Sequence, residues 1–245
     1  MNKWFLTGDF HGREITIKER LMKYTEPEDN VIILGDAGLN YYGNYKDKSL
    51  KYMVNSYGRN IYCVRGNHEM RPEDVEGMIS VYDEKVCNNV YVEEQFPHIK
   101  YLKDGTTYII DGKKCLVLGG AYSIDKEYRQ LMGWGWFENE QLSADEMKSI
   151  AEQYKGETFD CILSHTCPTS FQPRAMFLPY IDQSKVDNSM EVWMEEFKDS
   201  IEWNEWFFGH YHGNVVMKSH PLVFMLFDIV VPFQEPNGPG EKYGK

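Results

Sequence analysis

An α/β fold built from two packed β-sheets flanked by helices is the architecture this sequence predicts, on three observations. Short apolar runs recur along the chain, each ending in a glycine-containing polar turn. Amphipathic helical stretches separate the early runs, and the C-terminal part is strand-rich. The chain has 245 residues, the size of one large domain, with 42% hydrophobic and 26% charged residues, enough apolar matter for a core.

The elements follow in order. Runs over 4–7, 31–34, 61–64 and 161–163 are continuously apolar, the pattern of strands buried on both faces. Stretches 106–110 and 114–118, joined through Asp111-Gly112-Lys113, read as a hairpin. Further strands are expected over 206–208, 215–218 and 222–229, and helices over 14–24, 46–57, 71–80, 143–155 and 189–201. Ser143 followed by Glu146 is a capping box for the fourth of these helices. No linker divides the chain, so residues 1–233 are expected to form one domain and 234–245, which lack aliphatic side chains, a loose tail.

The polar residues after the strands carry the chemistry. They are Gly8-Asp9-Phe10-His11-Gly12, Gly35-Asp36-Ala37-Gly38, Arg65-Gly66-Asn67-His68-Glu69, Ser164-His165-Thr166 and Gly209-His210-Tyr211-His212-Gly213. Open α/β sheets bind ligands outside the carboxyl ends of their strands, so five distant segments deliver Asp, His and Asn to one edge. Of seven histidines, five lie in these blocks, while His98 and His220 read as structural or surface residues. Asp and His together suit a borderline metal. Asp9, His11, Asp36, Asn67, His165, His210 and His212 are seven candidate ligands, enough for two ions if one carboxylate bridges.

This ordered set resembles the signature of the calcineurin-like metallophosphoesterases, including their small bacterial and phage members. That signature runs Asp-x-His, Gly-Asp-x-x-Asp, Gly-Asn-His-Glu/Asp, a later His and Gly-His-x-His; its blocks span residues 9 to 212 here, with a departure in the second. The resemblance implies their two-sheet αββα fold and a phosphoesterase acting through in-line attack of a metal-bridging hydroxide. It implies that Asp9, His11, Asp36 and His212 hold one ion, and that Asp36 bridges to a second held by Asn67, His165 and His210. His68 would be no ligand but would face the scissile phosphate, as a catalytic residue. The ions would be two divalent cations, Mn²⁺ foremost, with Fe or Zn²⁺ as alternatives. Leu39 stands where the second block normally has a carboxylate, and the Arg that follows it in Ser/Thr protein phosphatases is missing, so that branch fits less well.

Around this set, Arg129 and Tyr122, with Asp125, are candidate substrate contacts. Trp134-Gly135-Trp136-Phe137 reads either as a lid that stacks on a base or aryl group or as loop packing, and 173–179 as a second rim. Cys167, two residues beyond His165, reads as an inert thiol rather than an oxidation-prone one. The net charge of −12 and the absence of a basic stripe disfavour a protein that tracks long nucleic acid or an anionic membrane. No apolar run is long enough for a membrane span, and five scattered cysteines read as reduced thiols of a cytoplasmic protein. The partner expected is a small phosphorylated molecule or nucleotide, as a monoester or diester. Competing readings are a phosphoprotein phosphatase and a non-catalytic protein-binding scaffold.

Overall fold

Central strands that are apolar at every position must be covered on both faces, and the fold supplies a layer for each. The computed structural model describes residues 2–217 and 221–234. The first sheet contains β1 (Trp4–Thr7), β2 (Asn30–Leu34), β3 (Asn60–Val64), β4 (Met78–Asp83), β5 (Asn88–Glu93) and β6 (Ile99–Tyr101). The second contains β7 (Thr106–Ile110), β8 (Lys113–Leu118), β9 (Thr158–Ser164), β10 (Glu202–Phe208), β11 (Val215–Met217) and β12 (Leu222–Met225). A last strand, β13 (Val230–Pro232), returns to the first sheet and pairs antiparallel with β1.

The strand orders are β13-β1-β2-β3-β6-β5-β4 and β11-β12-β10-β9-β8-β7. Ile32 and Leu34 of β2 meet Cys115, Val117 and Leu163 of the second sheet between the two layers. Their neighbours Val31 and Ile33 point the other way, against α1 (Glu14–Tyr24) and α2 (Tyr45–Ser56). On the far side, Leu116, Ile162 and Trp206 are covered by α4 (Ala144–Tyr154) and α5 (Ser189–Lys198). The result is the helix–sheet–sheet–helix sandwich expected from the sequence. The short α3 (Lys126–Met132) contributes no buried residue to any of these layers.

The capping box forms: Ser143 Oγ accepts from Glu146 N and the Glu146 carboxylate accepts from Ser143 N at 2.7 Å. Asp111 and Gly112, both at positive φ, make the tight turn between β7 and β8. The stretch 71–80 is not the expected helix. Pro72–Asp74 make one 3₁₀ turn, and Met78 to Asp83 pair antiparallel with β5. Pro at the first position and two acids imitate a helix start, while β4 is an edge strand whose mostly half-exposed side chains show no clean alternation. The run 222–229 stops as a strand at Met225, where Leu226 N turns to donate to the Phe208 carbonyl. His220, Lys218 at the end of the expected 215–218 strand, and the tail from 235 onward lie outside the described residues.

All five cysteines are unpaired, and four are buried. Burial pushes the Cys167 thiol well up, which keeps it protonated and unreactive. Among the described residues no helix is long and apolar enough to cross a membrane.

Candidate metal centre

Within each sheet the chemistry-bearing strands run parallel, so β1, β2 and β3 end together, as do β9 and β10. One hydrogen bond stitches those ends across the sheets and a second ties the ends of β9 and β10 within the second sheet. The Leu34 carbonyl, at the end of β2, lies 2.8 Å from His165 Nδ1, and Gly209 N donates to the His165 carbonyl. This convergence places Asp9, His11, Asp36, Asn67, His165, His210 and His212 at one edge.

Close approach there depends on missing side chains. A Cβ on Gly66 would stand 2.0 Å from Asp36 Oδ1, and one on Gly35 would stand 2.0 Å from His165 Nδ1. The backbone is also bent to purpose. His11, Asp36, His210 and His212 have φ between 49° and 67°, among only seven such non-glycine residues described. Left-handed backbone outside glycine is costly and concentrates at functional sites.

Two groups of donor atoms result, Asp9–His11–His212 and Asp9–Asp36–His165, each with its atoms within 4.8 Å of one another. Asp9 belongs to both. Asp36 Oδ2 lies 3.6 Å from His11 Nδ1 and 3.6 Å from His165 Nε2, so this one oxygen faces both groups. His210 donates its backbone N–H to Asp9 Oδ1, and its ring packs edge-on to His165 with centroids 5.0 Å apart.

The polar accounting within the site fits a cation. Asp9 is 1% exposed, yet its Oδ2 has no hydrogen-bond partner. His165 must carry a proton on Nδ1, because the Leu34 carbonyl only accepts. Its Nε2 then lies 2.9 Å from Asn67 Oδ1, an acceptor, and only a second proton or a cation satisfies both atoms. His11 Nε2 and His212 Nε2 approach to 2.8 Å. Two carboxylates, four imidazoles and an amide oxygen form a donor set for borderline divalent metals.

Ionisation follows burial and proximity. Burial opposes charge on His165, but Asp36 and Asp9 outweigh it and lift its pKa to about 9. Burial drives His11 down to about 4 against the pull of Asp36, and it also lowers His210, His212 and His68. Asp36 is held well below the usual carboxylate range because His165 overcomes its burial, whereas burial pushes Asp9 up. Neutral imidazoles are the ligating form.

A second tier of residues fixes the first. Asn67 Nδ2 donates to Ser123 Oγ at 2.8 Å, and Ser123 Oγ donates to Glu140 Oε2 at 2.5 Å. Glu140 Oε1 accepts from Ser123 N as well. All three residues are buried, so the chain sets which way the Asn67 amide faces and turns Oδ1 toward His165. Glu69 accepts from Ala37 N and Gly66 N, tying the loops after β2 and β3 together, and burial raises its pKa to about 7.

His68 sits beside this cluster without joining either donor group. Its backbone N–H donates to Asp36 Oδ1, and its Nε2 is 3.3 Å from Arg129 Nη2. Leu39, at the place of the missing carboxylate, is buried among Phe10, Ile17 and Val54. Where the signature has that carboxylate, the His68 ring meets the Arg129 guanidinium instead, while Asp36 and Asp125 act on its charge from other sides.

A cavity of about 990 Å³ opens from His11, Asp36 and His68. Arg129 and Trp134 line it, and Tyr122 does not. Asp125 pairs with Arg129 Nε at 2.8 Å. Phe137 contacts Tyr41 edge-on and Trp136 lies under Lys126 Nζ, so this loop divides between lining and packing. In the 173–179 segment, Phe177 stacks on Tyr211, over the loop that carries His210 and His212. Ser123, Glu140, Tyr41 and Tyr42 were not singled out by sequence. Ser123 adjoins the candidate Tyr122, and nothing in the sequence marks Glu140.

Comparisons with known proteins bear on this site. Among solved structures, 29 chains match. One is phosphopantetheinyl hydrolase (PptH) from Mycobacterium tuberculosis, with a TM-score of 0.49 and 11% identity, covering 92% of this chain and 89% of that one. A comparison with curated protein sequences finds no match. The calcineurin-like phosphoesterase family profile matches residues 4–214, which include every strand end that brings a polar block to the site. The chain belongs to the calcineurin-like phosphoesterase family.

Proposed function

We infer that this phosphoesterase hydrolyses a small phosphate ester, of a nucleotide or another small molecule, at a centre of two divalent cations. Asp9, His11, Asp36 and His212 would hold one ion, and Asp36, Asn67, His165 and His210 the other. Bound there, such a pair supplies a water of lowered pKa and a clamp for phosphoryl oxygens in an in-line displacement.

The observation that carries the reading is the position of Asp36 Oδ2, 3.6 Å from a donor nitrogen in each half of the site. The chain's own residues do the rest. His165 holds its proton at Nδ1 against the Leu34 carbonyl, which leaves Nε2 toward the centre. His68, whose backbone is pinned to Asp36, presents its ring on the cavity where a phosphoryl or leaving oxygen would arrive. There it can hold or deliver a proton at a ring nitrogen. Arg129 Nη2, beside it, adds positive charge for a phosphoryl oxygen. Such local charge outweighs the acidic surface at short range.

The test is elemental analysis of the purified chain, followed by hydrolysis of para-nitrophenyl phosphate and its bis-ester with Mn²⁺, Fe²⁺ or Zn²⁺. About two equivalents of metal and metal-dependent turnover are expected, with turnover reduced at least 100-fold in D36N and H68A. A chain that holds no metal and turns over neither ester is the protein-binding scaffold instead.

A further inference from the structure

The helix α3 covers no core, yet it is held firmly and stands at the mouth of the cavity. Its C-terminal turn carries two different contacts. Arg129 is anchored on three sides: Nε to Asp125, Nη1 to the Tyr41 hydroxyl at 3.0 Å, and Nη1 again to the Gly135 carbonyl at 3.4 Å. Its Nη2 is left to face the cavity beside His68. Five residues on, Trp134 donates its backbone N–H to the Arg129 carbonyl at 2.8 Å. Its indole touches Tyr128 edge-on and is otherwise 51% exposed on the cavity wall. One helix end thus fixes the distance between a guanidinium at the phosphoryl end and an uncovered indole further out.

A second stretch of the lining is anchored as well. Asp47, buried in the first turn of α2, accepts from Tyr42 N and Gly43 N at 2.8 and 2.7 Å, which ties the loop carrying Tyr41 and Tyr42 to the helix that begins at Tyr45. Tyr42 and Tyr45 line the cavity and are more than half exposed. Lys46 lies over the Tyr42 ring at 4.5 Å and lines the same wall. A volume of about 990 Å³ is at the upper end of small-molecule sites. Exposed aromatic side chains on anchored backbone beside a cationic end match a ligand that is planar at one end and anionic at the other.

We propose that the cavity is a nucleoside phosphate site, with the phosphoryl group against the adjoining His68 and Arg129 and the base stacked on Trp134, in the cavity that Tyr42 and Tyr45 also line. This rests on the phosphoesterase reading above for the orientation of the phosphoryl group. Arg129 and Trp134 are then the residues that determine specificity, and the length of the α3 terminus sets the spacing they accept.

Adenosine 5′-monophosphate and ribose 5-phosphate test it, because they share the leaving alkoxide and differ by the base. With Mn²⁺ supplied, kcat/KM should favour the nucleotide by about tenfold or more, the value of one base–aromatic stack, and W134A should bring the ratio close to one. Binding is read separately by titrating the full chain, with and without Mn²⁺, with adenosine 5′-monophosphate and following tryptophan fluorescence. A saturable quench is expected that W134F lacks. Equal efficiency on both esters, or a quench that persists in W134F, overturns the proposal while leaving the phosphoesterase reading intact. A quench that depends on Trp134 in a chain that hydrolyses no phosphate ester does the reverse.

Discussion

Removing the Ser123 hydroxyl tests whether the buried chain from Glu140 to Asn67 positions a ligand or only fills space. In S123A, Asn67 Nδ2 loses its acceptor at 2.8 Å and Glu140 Oε2 loses its donor at 2.5 Å. Asn67 Nδ2 keeps only a 3.3 Å approach to His68 Nε2, and both residues are almost fully buried, so neither group regains water readily. One such group costs about 1–3 kcal/mol, so the pair comes to at most roughly 2–6 kcal/mol of stability. For a chain of this size, at about 2–4 °C per kcal/mol, that is a fall in Tm of roughly 4–24 °C, read by calorimetry. The more telling number is metal affinity. With the Asn67 amide free to rotate, Oδ1 no longer faces His165 by default, and outer-sphere losses of this kind cost about 10–100-fold in affinity. Binding is measured by titrating chelator-stripped protein with Mn²⁺ and counting free ion by its paramagnetic resonance. E140Q, which keeps the shape but disturbs the hydrogen-bond polarity, should move affinity in the same direction. If S123A is less stable yet binds Mn²⁺ within twofold of the unaltered chain, the orientation argument is wrong.

Three further outcomes follow from the geometry. G66A forces a Cβ onto Asp36 Oδ1 and the Asp36 backbone nitrogen, so the loops after β2 and β3 must part; loss of both bound metal and turnover is expected, and retention of both by elemental analysis and ester hydrolysis refutes it. Glu146 is held down to about 2, its burial outweighed by hydrogen bonds from Arg71 and Ser143, so the stabilisation it adds is complete above about 4.5 and fades as pH falls through 2. Because Glu146 is partly exposed, the Tm gap between the unaltered chain and R71M should be small and should close toward low pH; a gap constant from pH 5 to 2.5 contradicts the assignment. L39D puts a carboxylate where the sequence signature expects one, but the side chain enters an apolar cluster with Phe10 and Val54, and a loss of several kcal/mol in denaturant unfolding is expected rather than a gain in turnover.

The parts of the fold legible in sequence were those where one local rule decides. Doubly buried strands such as 31–34 and 61–64 can be little else, and the Ser143–Glu146 box fixes a helix start. The edge hairpin of β4 and β5 escaped because its pairing partner, not its own pattern, makes β4 a strand. The same division runs through the site. Each polar block follows a strand, so its residues could be placed at one edge without coordinates. Glu140 and Tyr41 sit in loops whose paths depend on tertiary contacts, and the pairing of Arg129 with His68 joins residues 61 positions apart.

The left-handed backbone at His11, Asp36, His210 and His212 has an evolutionary edge. Glycine at His11, His210 or His212 would relax the main chain, and after the extra entropy of the unfolded state a gain of up to about 1 kcal/mol each remains, whereas at Asp36 the His68 N–H and the charge on His165 would lose their partner. Decay of the catalytic apparatus would then make the protein sturdier, not weaker. A lineage released from selection for hydrolysis should drift toward an inert, hardier descendant.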